Sequence, residues 1–359
     1  MDNIEELLKQ LVEASGIPGH EEEVHDIVRS HLQQFGEIGH DKLGSLICEK
    51  QGKAKEPRVM LVAHMDELGF MVSHITKEGF IKFVTLGGWW EHVLLAQRVA
   101  IKTRKSPVVG VIGAKPPHLL SDEERKRLVD KDNMYIDIGA TSQEEVAEAN
   151  VRIGDPVVPI SEFTKLTSSR AYMAKAFDDR VGCATMISTL HRLADTSHPN
   201  AAFAVATVQE EVGLRGATTS VEMVSPHVAI VLEGTAANDV PGMAREGEAT
   251  FRLGSGPIVT FYRDDMIPNL RLRDLVAETA QKHSIPMEAR VGGIRGKTDG
   301  AVIHLYKSGV PTVVISLPLR HTHSHNGIIH RDDFDHTVEL LTKTVQALDK
   351  NTVSNLTSW

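Results

Sequence analysis

Apolar residues recur at helical spacing near both ends of the chain, and short apolar runs lie between these segments. One side of a first amphipathic helix carries Ile4, Leu7, Leu8 and Leu11. A second helix is predicted over residues 21–36, with Gly36 as its stop signal. Four continuous apolar runs are typical of buried strands: residues 59–63, 202–208, 228–232 and 312–316. With further helices predicted over residues 180–193 and around Val338 to Leu348, the alternation indicates an α/β domain.

The middle of the chain has a different sequence pattern. Residues 70–163 contain short β-type runs such as FIKFVTL and PVVGVIGA, separated by glycine, proline and clusters of charge. Helix and strand alternation returns only after this segment. We therefore predict an α/β domain formed by residues 1–69 and 164–359 and interrupted by a small β-rich domain, residues 70–163.

The amino-acid composition argues against some classes of binding partner for this protein. The 359 residues include 39 Lys and Arg against 48 Asp and Glu, and the resulting charge of −9 disfavours nucleic acid or an anionic membrane as a partner. No apolar run approaches the about 20 residues that a membrane-spanning helix needs. Cys48 and Cys183 stand far apart in no metal-binding spacing, so we expect two buried thiols in a reducing, cytoplasmic setting.

Histidines and carboxylates cluster where the predicted strands end. VAHMDE, QEEVG, VLEGT and RHTHSH each lie at or just after such an end, and KAFDDRVG lies ahead of a helix. In open α/β sheets, ligands bind at the carboxyl edge of the strands. The clusters offer imidazole and carboxylate groups without thiolate, a set that suits zinc, cobalt or manganese. We predict a metal site at this edge.

The adjacent glutamates of QEEVG, Glu210 and Glu211, are expected to differ in role. Successive residues at the end of a strand point in different directions, so both cannot serve one metal in the same way. One carboxylate can bind a metal while its neighbour accepts a proton from an activated water. With two metals roughly 3.5–4 Å apart, a bridging carboxylate is also expected.

The ordered motifs VAHMDELGFMV, AFDDRVGC, QEEVGLRGA, VLEGT and GKTDGAVIH resemble those of the M42 metallo-aminopeptidases, the TET aminopeptidases, which include glutamyl aminopeptidases. The resemblance spans nearly the whole chain. It implies a mixed-sheet α/β/α metallopeptidase domain interrupted by a small barrel-like domain, and two divalent ions, zinc or cobalt, per subunit. It also implies dimers formed through the inserted domain and assembled into a homo-oligomeric dodecamer.

The resemblance assigns a role to each clustered residue. It implies that Glu210 is the general base and that Asp66 orients a histidine ligand through its second ring nitrogen. The implied metal ligands are His64, the bridging Asp178, Glu211, Glu233 and His323. Thr298 or Asp299, in the glycine-rich loop, would contact substrate or support the site.

Two positions depart from the family pattern. Glu233 stands where many members have aspartate, so metal spacing or denticity can differ. The pattern Arg-Tyr-x-His-Ser-Pro is altered by His321 in place of tyrosine and His325 in place of proline. Because His321, His323 and His325 alternate, all three could face one side of an extended segment, and His321 and His325 stay open as alternative ligands to His323.

Other segments are given no catalytic role. His330, Asp332 and Asp333 are predicted to form a solvated lead-in to the last helix. Gly87, Gly88, Trp89 and Trp90 form a candidate aromatic contact surface; equally, the two tryptophans are candidates for packing within their own domain.

The predicted function is the removal of N-terminal residues from peptides with a free N-terminus. A deacylase or carboxypeptidase of the same fold is the alternative. A glycoside hydrolase, which needs two carboxylates about 5–9.5 Å apart and no metal, leaves the histidines unexplained. A non-catalytic scaffold with a structural metal leaves Glu210 unexplained.

Overall fold

The computed structural model describes residues 1–243, 251–292 and 296–358 of the chain. The helices are α1 Asn3–Glu13, α2 Glu22–Leu32, α3 Asp122–Arg125, α4 Gln143–Glu148, α5 Phe177–Ala194, α6 Arg215–Val224, α7 Leu270–Lys282, α8 Gly300–Ile303, α9 Arg331–Ala347 and α10 Lys350–Asn355. The strands are β1 Ile38–His40, β2 Leu46–Gln51, β3 Arg58–His64, β4 Gly69–Ile75, β5 Ile81–Leu86, β6 Arg98–Lys102, β7 Pro107–Gly113, β8 Tyr135–Asp137, β9 Pro156–Pro159, β10 Thr164–Lys165, β11 Ala171–Ala174, β12 Ala201–Thr207, β13 Val228–Ala236, β14 Ile258–Tyr262, β15 Glu288–Val291, β16 Thr312–Leu319 and β17 Gly327–His330.

An eight-stranded mixed sheet forms the centre of the fold. Its order is β1-β2-β12-β3-β13-β16-β14-β15. The four central strands β12, β3, β13 and β16 are parallel, whereas β2 and β14 flank them in the antiparallel sense. The carboxyl ends of the four central strands therefore meet at one edge, where the sequence places its histidines and acids.

Helices cover both faces of this sheet. Along β3, Val59, Leu61 and Ala63 belong to the apolar core shared with α1, α2, α5, α7 and α9. The alternate residues Met60 and Val62 belong to a second core, shared with α6 and α8. Burial on both faces explains the continuous apolar runs. The predicted mixed-sheet α/β/α architecture is confirmed.

Helix α1 shows how local sequence fixes one of these layers. The Asp2 side chain accepts hydrogen bonds from the backbone N–H groups of Ile4 and Glu5, so it caps the first turn. Leu7, Leu8 and Leu11 on its apolar side are buried in the core, where α1 packs against α2 and α5, and the helical spacing predicts this burial.

The inserted segment closes into a six-stranded barrel of order β4-β5-β8-β7-β6-β9. Its interior is filled by inward-facing apolar side chains, among them Phe70, Val72, Ile81, Ile101, Ile112 and Ile136. The predicted barrel-like element is confirmed. The domain boundaries at residues 70 and 163 remain predictions.

The expectation of a solvated lead-in to the last long helix is wrong for Asp333. His330 caps α9, and Asp332 lies in the first turn, but Asp333 is fully buried. Its carboxylate accepts hydrogen bonds from the backbone N–H groups of Gly254 and Gly256, at 2.8 and 2.7 Å. Burial raises the pKa of Asp333 to about 7.

Cys48 and Cys183 are free and buried, as predicted. None of the helices within the described ranges has the length and apolar character needed to cross a bilayer.

Candidate metal centre

Parallel pairing brings the predicted residues to one edge of the sheet. His64 ends β3 and lies opposite Thr207, the last residue of β12, so the pair Glu210 and Glu211 follows only three residues later. Glu233 lies inside β13, whose strand continues to Ala236 beyond the predicted end. The loop after β16 carries His323 to the same edge.

Asp178 lies between the two histidines. Its Oδ1 is 3.4 Å from His64 Nε2, and its Oδ2 is 3.5 Å from His323 Nε2. Although Asp178 falls within α5, its φ and ψ are not helical, and this local break turns the carboxylate toward the sheet edge. One oxygen facing each histidine is the arrangement expected of a bridging ligand.

Two groups of three side chains share Asp178. The ligating atoms of His64, Asp178 and Glu233 lie within 4.8 Å of one another, and so do those of Asp178, Glu211 and His323. His64, Glu210 and Glu211 form a third such group. The structure therefore brings together all five predicted metal ligands and the predicted base.

The electrostatics of this cluster suit bound cations. Burial and the neighbouring carboxylates raise the pKa of Glu210 and of Glu233 well above the ordinary range, and they raise the pKa of Glu211 to about 7. Buried anions without compensation are costly, and divalent cations offset that cost. Imidazole nitrogens with carboxylate oxygens form a donor set that suits zinc or cobalt. These residues fit a metal centre.

Asp66 holds the site in a way that differs in part from the prediction. The atom closest to His64 Nδ1 is the backbone oxygen of Asp66, at 2.9 Å, while the Asp66 carboxylate is 3.6 Å away. That carboxylate accepts hydrogen bonds from the backbone N–H groups of Glu210 and Glu211, at 2.9 and 3.0 Å. Asp66 thus contacts both the histidine and the glutamate pair.

The three alternating histidines point in different directions. His323 Nε2 faces Asp178 and lies 3.9 Å from Glu211 Oε1. His321 is exposed, and His325 is buried against the Trp89 ring at a centroid distance of 5.1 Å. His321 and His323 have φ values of 57° and 54°, so the segment is not extended and alternation does not place its side chains on one side.

A cavity of about 620 Å³ opens beside the carboxylates. Thr298 lines it together with Leu214, Arg263 and Lys297. Asp299 does not line it: the residue is buried, and its Oδ2 accepts a hydrogen bond of 2.5 Å from the Thr207 hydroxyl at the end of β12. Of the two loop residues predicted to contact substrate or support the site, Thr298 faces the cavity and Asp299 lies behind it.

Several supporting residues were not predicted. The Glu21 carboxylate accepts the backbone N–H of Gln209, and burial raises the pKa of Glu21 to about 7. Asp179 accepts the backbone N–H of His64 at 3.3 Å, and the buried Arg180 donates to backbone carbonyls that include Met65. The adjacent acids of AFDDR were a usable signal for Asp179. For Glu21 the sequence carries no such signal, because it does not distinguish this residue from Glu22 and Glu23.

Comparisons with known proteins agree on one family. Residues 44–340 match the model of the M42 glutamyl aminopeptidase family. The lysyl aminopeptidase of Pyrococcus furiosus is 34% identical over 96% of this chain and 97% of its own length. A TET aminopeptidase structure from the marine sediment archaeon Thaumarchaeota archaeon SCGC AB-539-E09 is 43% identical, with a TM-score of 0.95 over 99% of this chain and 100% of that one.

A structure of the Pyrococcus horikoshii TET1 peptidase, which can assemble into a tetrahedron or a large octahedral shell, is 30% identical. Its TM-score is 0.84, over 96% of this chain and 100% of that one. The match of the family model and the identity across nearly full-length relatives lead to one conclusion: the chain belongs to the M42 peptidase family.

Proposed function

We propose that the chain is a metal-dependent aminopeptidase that hydrolyses the peptide bond after an N-terminal residue. The observation that carries this proposal is the pair of three-ligand groups that share Asp178, with Glu210 beside them. The aminopeptidase relatives support the same activity.

We assign two divalent ions, zinc or cobalt, to these groups. His64, Asp178 and Glu233 would hold one ion, and Asp178, Glu211 and His323 would hold the other. Glu233 reaches the first group despite its extra methylene relative to aspartate. When bound, such ions supply positive charge that polarises a carbonyl and lowers the pKa of water.

Glu210 is assigned the proton transfer. Its Oε2 lies 3.9 Å from His64 Nε2, so its carboxylate borders the ligand groups. Glu210 accepts the proton of the attacking water and then donates it to the leaving amine. Asp66 keeps this carboxylate in place, because it binds the backbone N–H groups of both glutamates.

The substrate side chain is assigned to the 620 Å³ cavity, with Thr298 on its wall. The free α-amine lies at the carboxylate cluster, where negative charge is concentrated and attracts a cation. Asp299 supports the site from behind through Thr207.

The alternative functions explain fewer features of the site than an aminopeptidase does. A glycoside hydrolase has no use for His64 and His323 placed on either side of Asp178. Structural metal sites are closed, whereas the His323 side chain keeps 40% of its surface exposed beside a cavity. A deacylase or carboxypeptidase would use the same ions but would not require a free N-terminus.

The test is a panel of aminoacyl chromogenic amides offered with a free amine and, as matched controls, with an acetylated amine. We expect cleavage of the free-amine substrates only, and the panel also ranks the preferred side chain. Release of the chromogenic amine from the acetylated set at a similar rate would favour an amidase that needs no free α-amine and would contradict the proposal.

We also propose that the chain assembles through its barrel into dimers and then into a dodecamer, since the Pyrococcus horikoshii TET1 peptidase can assemble into a tetrahedron or a large octahedral shell. Trp90 supports a contact there, because it is 58% exposed on the loop after β5. A cytoplasmic location stays a prediction.

A further inference from the structure

The metal-binding cluster touches the inserted barrel through the loop Gly87–Gly88–Trp89, which we name the glycine loop. The Gly88 carbonyl oxygen accepts a hydrogen bond of 2.9 Å from His323 Nδ1. A carbonyl only accepts, so this contact places the proton on Nδ1 and leaves the Nε2 lone pair toward Asp178 and Glu211.

A side chain at either glycine would disturb this approach. A Cβ on Gly88 would lie 3.2 Å from His323 Nδ1, closer than most side-chain contacts. Gly87 has a φ of +84°, and a Cβ there would lie 2.1 Å from Leu68 Cδ2 and 3.1 Å from Glu211 Oε2. The loop therefore lies directly against two of the proposed ligands of one ion.

Trp89 anchors the glycine loop to the barrel. Its indole ring stacks on Phe70 at a centroid distance of 4.8 Å with an interplanar angle of 15°. Its Nε1 donates a hydrogen bond of 3.0 Å to the backbone oxygen of Gly69. The neighbouring Trp90 faces outward and takes no part in this packing with Phe70.

His325 packs on the Trp89 ring and so links the segment that carries His323 to the glycine loop. Its ring is 99% buried, packs on Trp89, and has no hydrogen-bond partner at either nitrogen among the described residues. Because the polar atoms are unused there, the ring acts as a packing surface. This packing holds the segment that carries His323 next to Trp89 of the glycine loop.

We infer that Trp89 and His325 are positioning residues that hold His323 against the Gly88 carbonyl and so orient His323 as a ligand of one of the two ions. This inference rests on the proposed function. The inserted barrel thereby contributes to metal affinity in the catalytic domain. Loss of such an outer contact typically weakens metal binding about 10–100-fold.

Zinc binding to the full-length protein tests this inference without reference to turnover. Chelated protein is dialysed against a series of buffered zinc concentrations, and ions per chain are counted by mass spectrometry. We expect His325→Ala to shift the binding of one ion to zinc concentrations at least about tenfold higher and to leave the other ion unchanged. His325→Phe replaces the imidazole with an apolar aromatic ring that can still pack on Trp89, and it should follow the wild-type curve.

Gly88→Val supplies a second perturbation at an exposed position and should shift the same ion. Trp90→Ala is the matched control and should shift neither. His325→Ala and Gly88→Val curves that superimpose on wild type would overturn the inference.

His323→Ala separates this inference from the proposed function. Loss of one ion in His323→Ala, with no shift in His325→Ala or Gly88→Val, overturns only the positioning role. Retention of both ions at wild-type affinity in His323→Ala overturns the ligand assignment itself, and the inference with it.

Discussion

Glu210→Gln is expected to lower turnover by about 10²–10⁴-fold, the usual contribution of general acid–base catalysis, while both ions stay bound. The amide is nearly the same size as the carboxylate and cannot accept the proton of water. Its backbone N–H still binds Asp66, so the neighbouring Glu211 keeps its place. The measurement is kcat on the best substrate of the panel, together with metal content of the same sample.

Glu222→Gln, an exposed glutamate at the end of α6, is the matched control and should retain full activity. A Glu210→Gln enzyme within a few-fold of wild type would show that proton transfer does not depend on this carboxylate.

Asp178→Asn is expected to have the broadest effect, because one side chain serves both ligand groups. The amide offers one neutral oxygen where the carboxylate presents Oδ1 to His64 and Oδ2 to His323. Binding of both ions should weaken, and turnover should fall by about a thousandfold or more, as the loss of several kcal/mol of charge stabilisation implies. Ions per chain and kcat report the two effects separately.

Asp195→Asn, at the exposed C-terminal end of the same helix, is the control for a change of charge on α5. If Asp178→Asn bound both ions at wild-type affinity, the bridging role would be wrong even if activity were lost.

The location of the site could be predicted because parallel strands impose it. Neighbouring parallel strands end at one edge, so residues far apart in sequence, such as His64 and Glu211, come together once the strands are recognised. The buried runs of β3, β12, β13 and β16 were clear for the same reason: burial on both faces leaves no polar alternation.

The supporting contacts could not be predicted because they depend on distant backbone groups. Glu21 binds the N–H of Gln209, 188 residues away, and Asp333 binds the N–H groups of Gly254 and Gly256. Charged residues next to a helix start are normally solvated, and sequence periodicity carries no information about such partners. The prediction that Asp333 is solvated was therefore wrong.

The histidine segment shows a second limit. Alternation predicts a common face only for extended backbone, and the positive φ angles at His321 and His323 break that condition. The outward His321, the cluster-facing His323 and the buried His325 could be distinguished only in three dimensions. The tryptophan pair likewise divides: Trp89 packs within its own domain, whereas Trp90 is exposed and stays a candidate for the contact surface.

Hydrolysis is expected to depend on ions held by the ligand groups that share Asp178. The most direct measurement removes metal by chelation and follows amine release from a free-amine substrate as zinc or cobalt is restored, with ions per chain counted at each point. We expect no cleavage in the chelated protein and a return of activity as binding approaches two ions per chain. Undiminished cleavage by protein that retains no metal would contradict it.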